Sequence, residues 1–212
     1  MHPPDPRFRS PAARPLRRAT RAPRRIVVRP LPLPRHSGLL QLEGHLHRCA
    51  LGRSGVTHRK REGDGATPVG CLTLEWGALR PDRRPPMPIP TLPTLRLAPD
   101  DGWCDASHAT QYNRAVRLPV PFSAERMWRE DHLYDAVIGL SWNTQPVRRG
   151  LGSAIFLHLA RPGLRPTDGC VAVPRPLMRR LLRLVRAGDQ VLVLSPGESG
   201  PPKRTRSGRR RF

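Results

Sequence analysis

The sequence predicts a mainly β fold, and three observations carry that expectation. Apolar residues come in many short runs, at 39–42, 69–74, 137–140, 154–159 and 190–194, each bounded by turn-forming residues. Sustained helical spacing occurs clearly only once, over 176–187. Where an alternating α/β chain would place crossover helices, this chain has polar loops and a proline-rich stretch over 80–94.

Strand character begins near Ile26, after a Pro/Arg-rich start. Segments 39–42 and 45–51 read as a hairpin turning at Glu43-Gly44. Residues 52–65 read as a polar loop, and 69–74 as a strand entered through Thr67-Pro68. The prolines of 80–94 fix φ and remove N–H donors, so an extended connector is expected there, followed by a short strand at 95–97. Residues 100–111 read as a polar loop around Trp103. Ser123 is placed to cap a short helix through Trp128, with Glu125 in its first turn. Strands are expected at 137–140 and 154–159, with Gly150-Leu-Gly152 before the second. Leu177, Met178, Leu181, Leu182 and Val185 make one apolar stripe, so 176–187 is expected as a helix against a core, stopped by Gly188. A last strand is expected at 190–194.

The chain has 212 residues, enough for one domain with a real core plus tails. Its net charge of +22 is uneven: nine arginines face only Asp5 in residues 1–30, and six basic residues face no acid in 199–212. Segments so poor in apolar residues cannot offset the entropy of ordering them. The expected organisation is therefore a disordered Arg/Pro-rich tail over 1–25, one domain over 26–195 and a disordered basic tail over 196–212. Such tails can make non-specific contacts with polyanions. Aromatics are too sparse to suggest a stacking platform for nucleic acid.

The four cysteines include no C-x-x-C pair, which argues against a zinc ribbon or a thioredoxin-type motif. His45, His47 and Cys49 alternate along one expected strand and share a face, but three side chains in a row span too far to close on one ion. Gly63-Asp64-Gly65 lacks the Gly-Lys-Ser/Thr and the helix of a phosphate-binding loop. No apolar run is long enough to cross a membrane, and no apolar region follows the charged start, so no export leader is read.

One segment carries chemistry. Ile155-Phe-Leu-His158 ends an apolar run, and Pro166-Thr-Asp-Gly-Cys170 follows as a tight turn. A thiol is a weak nucleophile until a base takes its proton, and imidazole is the usual base. The turn folds the chain back, so Cys170 can return beside the strand that carries His158. Two influences are expected to lower the thiol pKa: a nearby His158 imidazolium and the N-terminal end of the helix that follows.

This segment, with Gly152-Ser-Ala-Ile-Phe-Leu-His158 before it, resembles the catalytic segment of the L,D-transpeptidases, the YkuD-like family. The stretch from Lys60 through Thr67-Pro68-Val-Gly70 is similar to the family's Thr-Pro-x-Gly turn, and Tyr134-Asp-Ala-Val-Ile-Gly-Leu-Ser-Trp-Asn143 to the strand before the histidine strand. The resemblance implies a mixed β-sandwich or barrel with a few short helices, working as a monomer without metal or cofactor in the periplasm or cell envelope. It implies attack on the bond between the third and fourth residues of a peptidoglycan stem tetrapeptide, release of D-alanine, a Cys170 thioester, and transfer to an amine. The product is a 3–3 cross-link or an exchanged or attached group.

By the same resemblance Cys170 is the nucleophile and His158 the general base, held by a backbone carbonyl near the turn. Gly169 and Cys170 supply oxyanion N–H groups, and Thr167 braces the turn. Asp168 stands where many members have His, and is read as a turn residue at the substrate site. Ala172 stands where many carry Arg or Asn for substrate, so carboxylate recognition falls to Arg165, Arg161, Arg148 or Arg149. Asn143, with Tyr112 and Asn113, is a candidate for the cleft wall, and Trp103 for the core. Two other readings stay open: a basic polyanion-binding module, and a relative that keeps the fold but has lost the substrate.

Overall fold

The computed structural model describes residues 22–198, so the expected tails lie almost wholly outside the described residues. Strands β1 (Arg25–Pro30), β2 (Ser37–Leu42) and β3 (His45–Ala50) form an antiparallel meander, its second turn at Glu43-Gly44 as the sequence suggests. The short strands β4 (Val56–Thr57) and β5 (Thr67–Pro68) pair with each other and bracket residues 58–66, so β4 interrupts the segment expected as a polar loop over 52–65. The long β6 (Gly70–Leu79) pairs on one side with β7 (Thr94–Arg96), and the connector between them has no regular structure beyond a bridge at Thr91.

Three further strands, β8 (Asp101–Cys104), β9 (Ala115–Arg117) and β10 (Ala124–Arg126), make a separate small sheet. Two expectations fail here. The 100–111 loop begins with a fully buried strand. The helix expected from Ser123 is β10, whose Glu125 pairs with Trp103. Glu125 and Met127 both serve the interior, a period of two, and the partner strand that imposes it is not local in sequence.

The remaining strands are β11 (Ala136–Leu140), β12 (Phe156–Leu159), β13 (Val171–Val173) and β14 (Gln190–Val193). The main sheet runs β11-β12-β13-β3-β2-β1-β14-β6-β7 and closes, because β11 pairs with β12 on one side and β6 on the other. Closure buries both faces of the strands around β11. Along β12, Leu157 and Leu159 join the larger core with Ile26, Leu40 and Leu74, while Phe156 joins a second cluster with Trp76, Trp103 and Tyr134. The small sheet covers that second cluster. Gly139 has no side chain because Trp76 lies across it: a Cβ there would sit 2.2 Å from the ring.

Helix α1 (Arg175–Leu184) lays Leu177, Met178, Leu181 and Leu182 on the larger core. It ends earlier than Gly188, because Val185 is already extended and Arg186 bridges to Thr91 of the proline-rich connector. A buried carboxylate ties these pieces together. Asp135 is 1% exposed and takes bonds from Arg83 Nε at 3.0 Å, from Arg175 of α1, and from His132 Nδ1 at 3.0 Å. Removing one partner of a buried ion pair strands the others, at about 3 kcal/mol or more. Asp135→Ala is therefore expected to lower unfolding free energy by about 3 kcal/mol in a urea titration, with the slope unchanged.

Candidate active site

The site forms where β12 and β13 run parallel. Their register pairs Leu157 with Val171 and His158 with Ala172. With a period of two, Phe156 and His158 face one side of the sheet, and so do Cys170 and Ala172, away from Val171 and Val173 in the larger core. His158 and Cys170 thus line one cavity of about 430 Å³, together with Thr167, Asp168 and Arg165. Both are buried, at 4% and 7% exposure.

The turn before Cys170 is held by two threonines from distant segments. Thr167 Oγ1 donates to the Cys170 carbonyl at 2.7 Å, and Thr67 Oγ1 approaches the same oxygen at 3.4 Å. Thr167 is itself stitched to the chain beyond β3: its N–H donates to Leu51 O, and Arg53 N–H donates to its carbonyl. Gly169 is required twice over. Its φ is +135°, and a Cβ would meet Ala66 O at 2.9 Å. Its N–H, expected to be offered to an oxyanion, is turned onto Thr167 Oγ1 at 3.2 Å. The anchoring role of Thr67 escaped the sequence reading, although the Thr-Pro-x-Gly turn marked its position.

Around the sulfur, Phe156 N–H donates to Sγ at 3.3 Å, and Sγ donates to Ala154 O at 3.1 Å. Ala154 has a left-handed φ of 52°, rare for a residue with a side chain, and Asn113 Oδ1 accepts its N–H at 3.1 Å. The His158 ring packs edge-on to Tyr134 with centroids 5.3 Å apart. Its Nδ1 lies 2.8 Å from Leu159 O. A carbonyl can only accept, so Nδ1 carries the proton and the lone pair is on Nε2. The orienting carbonyl is on the histidine's own strand, not near the turn.

The electrostatics correct one expectation. Burial pushes the Cys170 thiol up to about 12, and the Glu125 carboxylate adds to the rise; the Phe156 N–H and Lys60 act weakly against it. Burial pulls His158 down to about 4, with Arg129 and Arg161 helping and the Leu159 carbonyl opposing. The helix cannot rescue the thiolate, because all of β13 separates α1 from Cys170 and the dipole acts only within a turn. Before their mutual attraction, moving a proton from thiol to imidazole across that gap costs on the order of 10 kcal/mol. Both shifts favour the uncharged forms, a thiol and a neutral imidazole in one cavity.

The other expected site residues divide. Asp168 is in the cavity wall but its side chain is 83% exposed and pairs with Arg53, so it does not orient His158. Arg161 and Arg165 line the cavity; Arg148 and Arg149 do not. Asn143 is not at the wall. Its side chain closes the 143–152 turn, donating to Arg148 O and Gly152 O and accepting from Arg148 N–H. Asn113 and Tyr112 also stand behind the wall: Asn113 bonds Trp103 Nε1 and Asn143 O, and Tyr112 donates to Glu62. Trp103 stacks on Trp76 in the core. Arg53, Glu62, Asp105, Glu125, Arg129 and Ser153 line the cavity too, and the sequence reading assigned none of them there. They come from five separate loops and strands, so no local motif could have flagged them.

A family model, the YkuD L,D-transpeptidase catalytic domain, matches residues 35–193. No curated protein and no solved structure matches the chain.

Two outcomes follow from the neutral pair. Iodoacetamide labelling of Cys170, followed by peptide mapping to separate it from the exposed Cys71, should accelerate with pH through 9 without levelling near neutrality. The second concerns stability. Between about pH 6.5 and 4 the unfolded chain binds a proton at His158 that the native state refuses, so stability falls as pH falls through that window. The loss reaches at most about 3 kcal/mol, and His158→Gln should flatten the slope of unfolding free energy against pH there.

Proposed function

The chain belongs to the YkuD L,D-transpeptidase family, and from that premise we propose that it is a cysteine acyltransferase acting on peptidoglycan stem tetrapeptides. The observation that carries this reading is the parallel pairing of β12 and β13, which sets His158 and Cys170 on the same face in one cavity. The family is associated with the cell envelope, and no helix among the described residues is long and apolar enough to cross a membrane.

The chemistry starts from the neutral pair. The Cys170 thiol turns from the Ala154 carbonyl toward His158, and Nε2 takes its proton as Sγ attacks the carbonyl carbon between the third and fourth stem residues. Proton transfer and attack go together, because a free thiolate is too costly beforehand. The carbonyl oxygen becomes an oxyanion beside the Cys170 N–H, with the Gly169 N–H shared between it and Thr167 Oγ1. The C–N bond breaks, and His158 returns the proton to the departing D-alanine nitrogen. A thioester remains. An amine attacks it, the C–S bond breaks, and the amine proton passes through His158 to Sγ.

With Ala172 beside His158, no side chain at that position reaches for substrate. Arg165 suits the terminal carboxylate: it lines the cavity and forms no ion pair among the described residues.

Cys170→Ala should remain folded and release no D-alanine from a tetrapeptide stem. The wild-type protein incubated with a carbapenem should gain the mass of one drug molecule on Cys170. His158→Gln should slow that acylation by about 10²-fold or more. D-alanine release surviving Cys170→Ala would refute the assignment.

A further inference from the structure

Helix α1 turns a basic face outward, on the side of β12 and β13 away from the cavity. Its buried Leu177, Met178, Leu181 and Leu182 join the larger core with Leu157, Leu159, Val171 and Val173, whereas His158 and Cys170 face the cavity. Arg179 and Arg183 stand one turn apart on α1, and Arg186 follows just past its end. Arg183 and Arg186 are exposed and form no ion pair among the described residues. The acids nearby are already engaged. Glu43 pairs with Arg24 and Arg180, and Asp189 is buried and accepts the backbone N–H groups of Arg24 and Arg186. Asp82 and Glu130, at the start of the proline-rich connector, face Arg80 and Arg83.

That connector runs along the same face. Arg179 Nη1 donates to Pro86 O at 2.7 Å, and Ala187 N–H donates to Thr91 O at 3.3 Å, beside the Thr91–Arg186 bridge. Within this stretch Met87 and Pro90 are buried, as is Leu92 just after it, and Met87 and Leu92 belong to the larger core. Ile89 is the exception, at 74% exposure. Pro88 and Pro90 fix the backbone on either side of it, so the side chain is held outward. A single exposed isoleucine is ordinary on a protein surface. Anchored among arginines with no acid to answer them, it has the make-up of an interfacial contact: an apolar side chain for the acyl boundary and guanidinium groups for phosphates.

Three observations choose the partner. Neither α1 nor the 80–94 connector contains an aromatic residue, so the face offers no ring on which a nucleic-acid base would stack. A soluble polyanion would also leave Ile89 without a role, whereas a bilayer takes both the charges and the apolar side chain. The family is associated with the cell envelope, where a bilayer is the adjoining phosphate surface. The Arg-rich start of the sequence, in which six arginines precede Arg24 against Asp5, also enters the described structure here, at Arg24 beside Glu43 and Asp189.

We propose that the outer face of α1 and the adjoining connector dock on an anionic phospholipid bilayer, with Arg179, Arg183 and Arg186 on headgroup phosphates and Ile89 at the acyl boundary. Arg179 commits Nη1 to Pro86 O and keeps its other N–H donors for a phosphate. The cavity opens on the opposite side of β12 and β13, so the docked protein keeps it accessible. The proposal is independent of the acyltransferase reading, because none of these four residues lines the cavity.

The test sediments the full chain with vesicles of phosphatidylcholine alone, and of phosphatidylcholine with phosphatidylglycerol, at about 0.1 M salt. The wild type should partition onto the anionic vesicles and not onto the neutral ones. Arg179→Gln/Arg183→Gln/Arg186→Gln should bind the anionic vesicles about thirtyfold more weakly or less, since each arginine near such a surface contributes about fivefold. Ile89→Ser should bind them about fivefold more weakly, yet bind soluble polyphosphate as the wild type does. If circular dichroism finds the triple variant unfolded, Arg183→Gln/Arg186→Gln is read for a loss of about tenfold. An unchanged partition in folded arginine variants assigns the binding to another part of the chain and overturns the proposal. A loss in the arginine variants with none in Ile89→Ser marks a contact for soluble polyanions and overturns it too, as does a wild type that ignores anionic vesicles.

Discussion

The register between β12 and β13 is the constraint on which the site depends. Two parallel strands of three or four residues would pair loosely alone, and a slip by one residue would turn Cys170 into the apolar core and Val171 into the cavity. What prevents the slip lies mostly outside the strands. Thr67 and Thr167 converge on the Cys170 carbonyl, and Leu51 and Arg53 hold Thr167 in turn. The apolar alternation of β12 and β13 then agrees with the position those bonds impose, because Leu157, Leu159, Val171 and Val173 can only be satisfied on the core side.

The site that results holds a buried histidine and cysteine inside a wall of charged side chains. Its tyrosine, tryptophan and phenylalanine rings run in contact from Trp76 and Trp103 through Phe156 to Tyr134, and the last of these meets His158. The same packing that orients the imidazole strips it of water, which lowers its basicity, and burial makes the thiol a weaker acid. The strained Ala154 fits this arrangement, since its backbone holds the sulfur in place by a carbonyl on one side while Asn113 restrains its N–H on the other.

The parts of this fold that were legible beforehand share a short range. The hairpin at Glu43-Gly44, the strands at β11, β12 and β14, and the apolar stripe of α1 are each written in a few consecutive residues. The parts that were misread all take their form from distant partners. Glu125 and its neighbours have a cap and a first-turn acid for a helix, yet they form β10 because β8 offers an edge twenty residues away. The end of α1 is set by Thr91 of the proline-rich connector.

The sequence by itself determined the β class, the nucleophile and base candidates, and the glycine turn that joins them, because these depend on residue type and on spacings of a few positions. Tertiary structure alone decided the protonation state of the pair, the removal of Asn143 from the cavity wall, and the acidic lining from Glu62, Asp105 and Glu125. Those depend on burial and on charges brought together across the chain, and neither desolvation nor a through-space contact leaves a periodic trace in the order of residues.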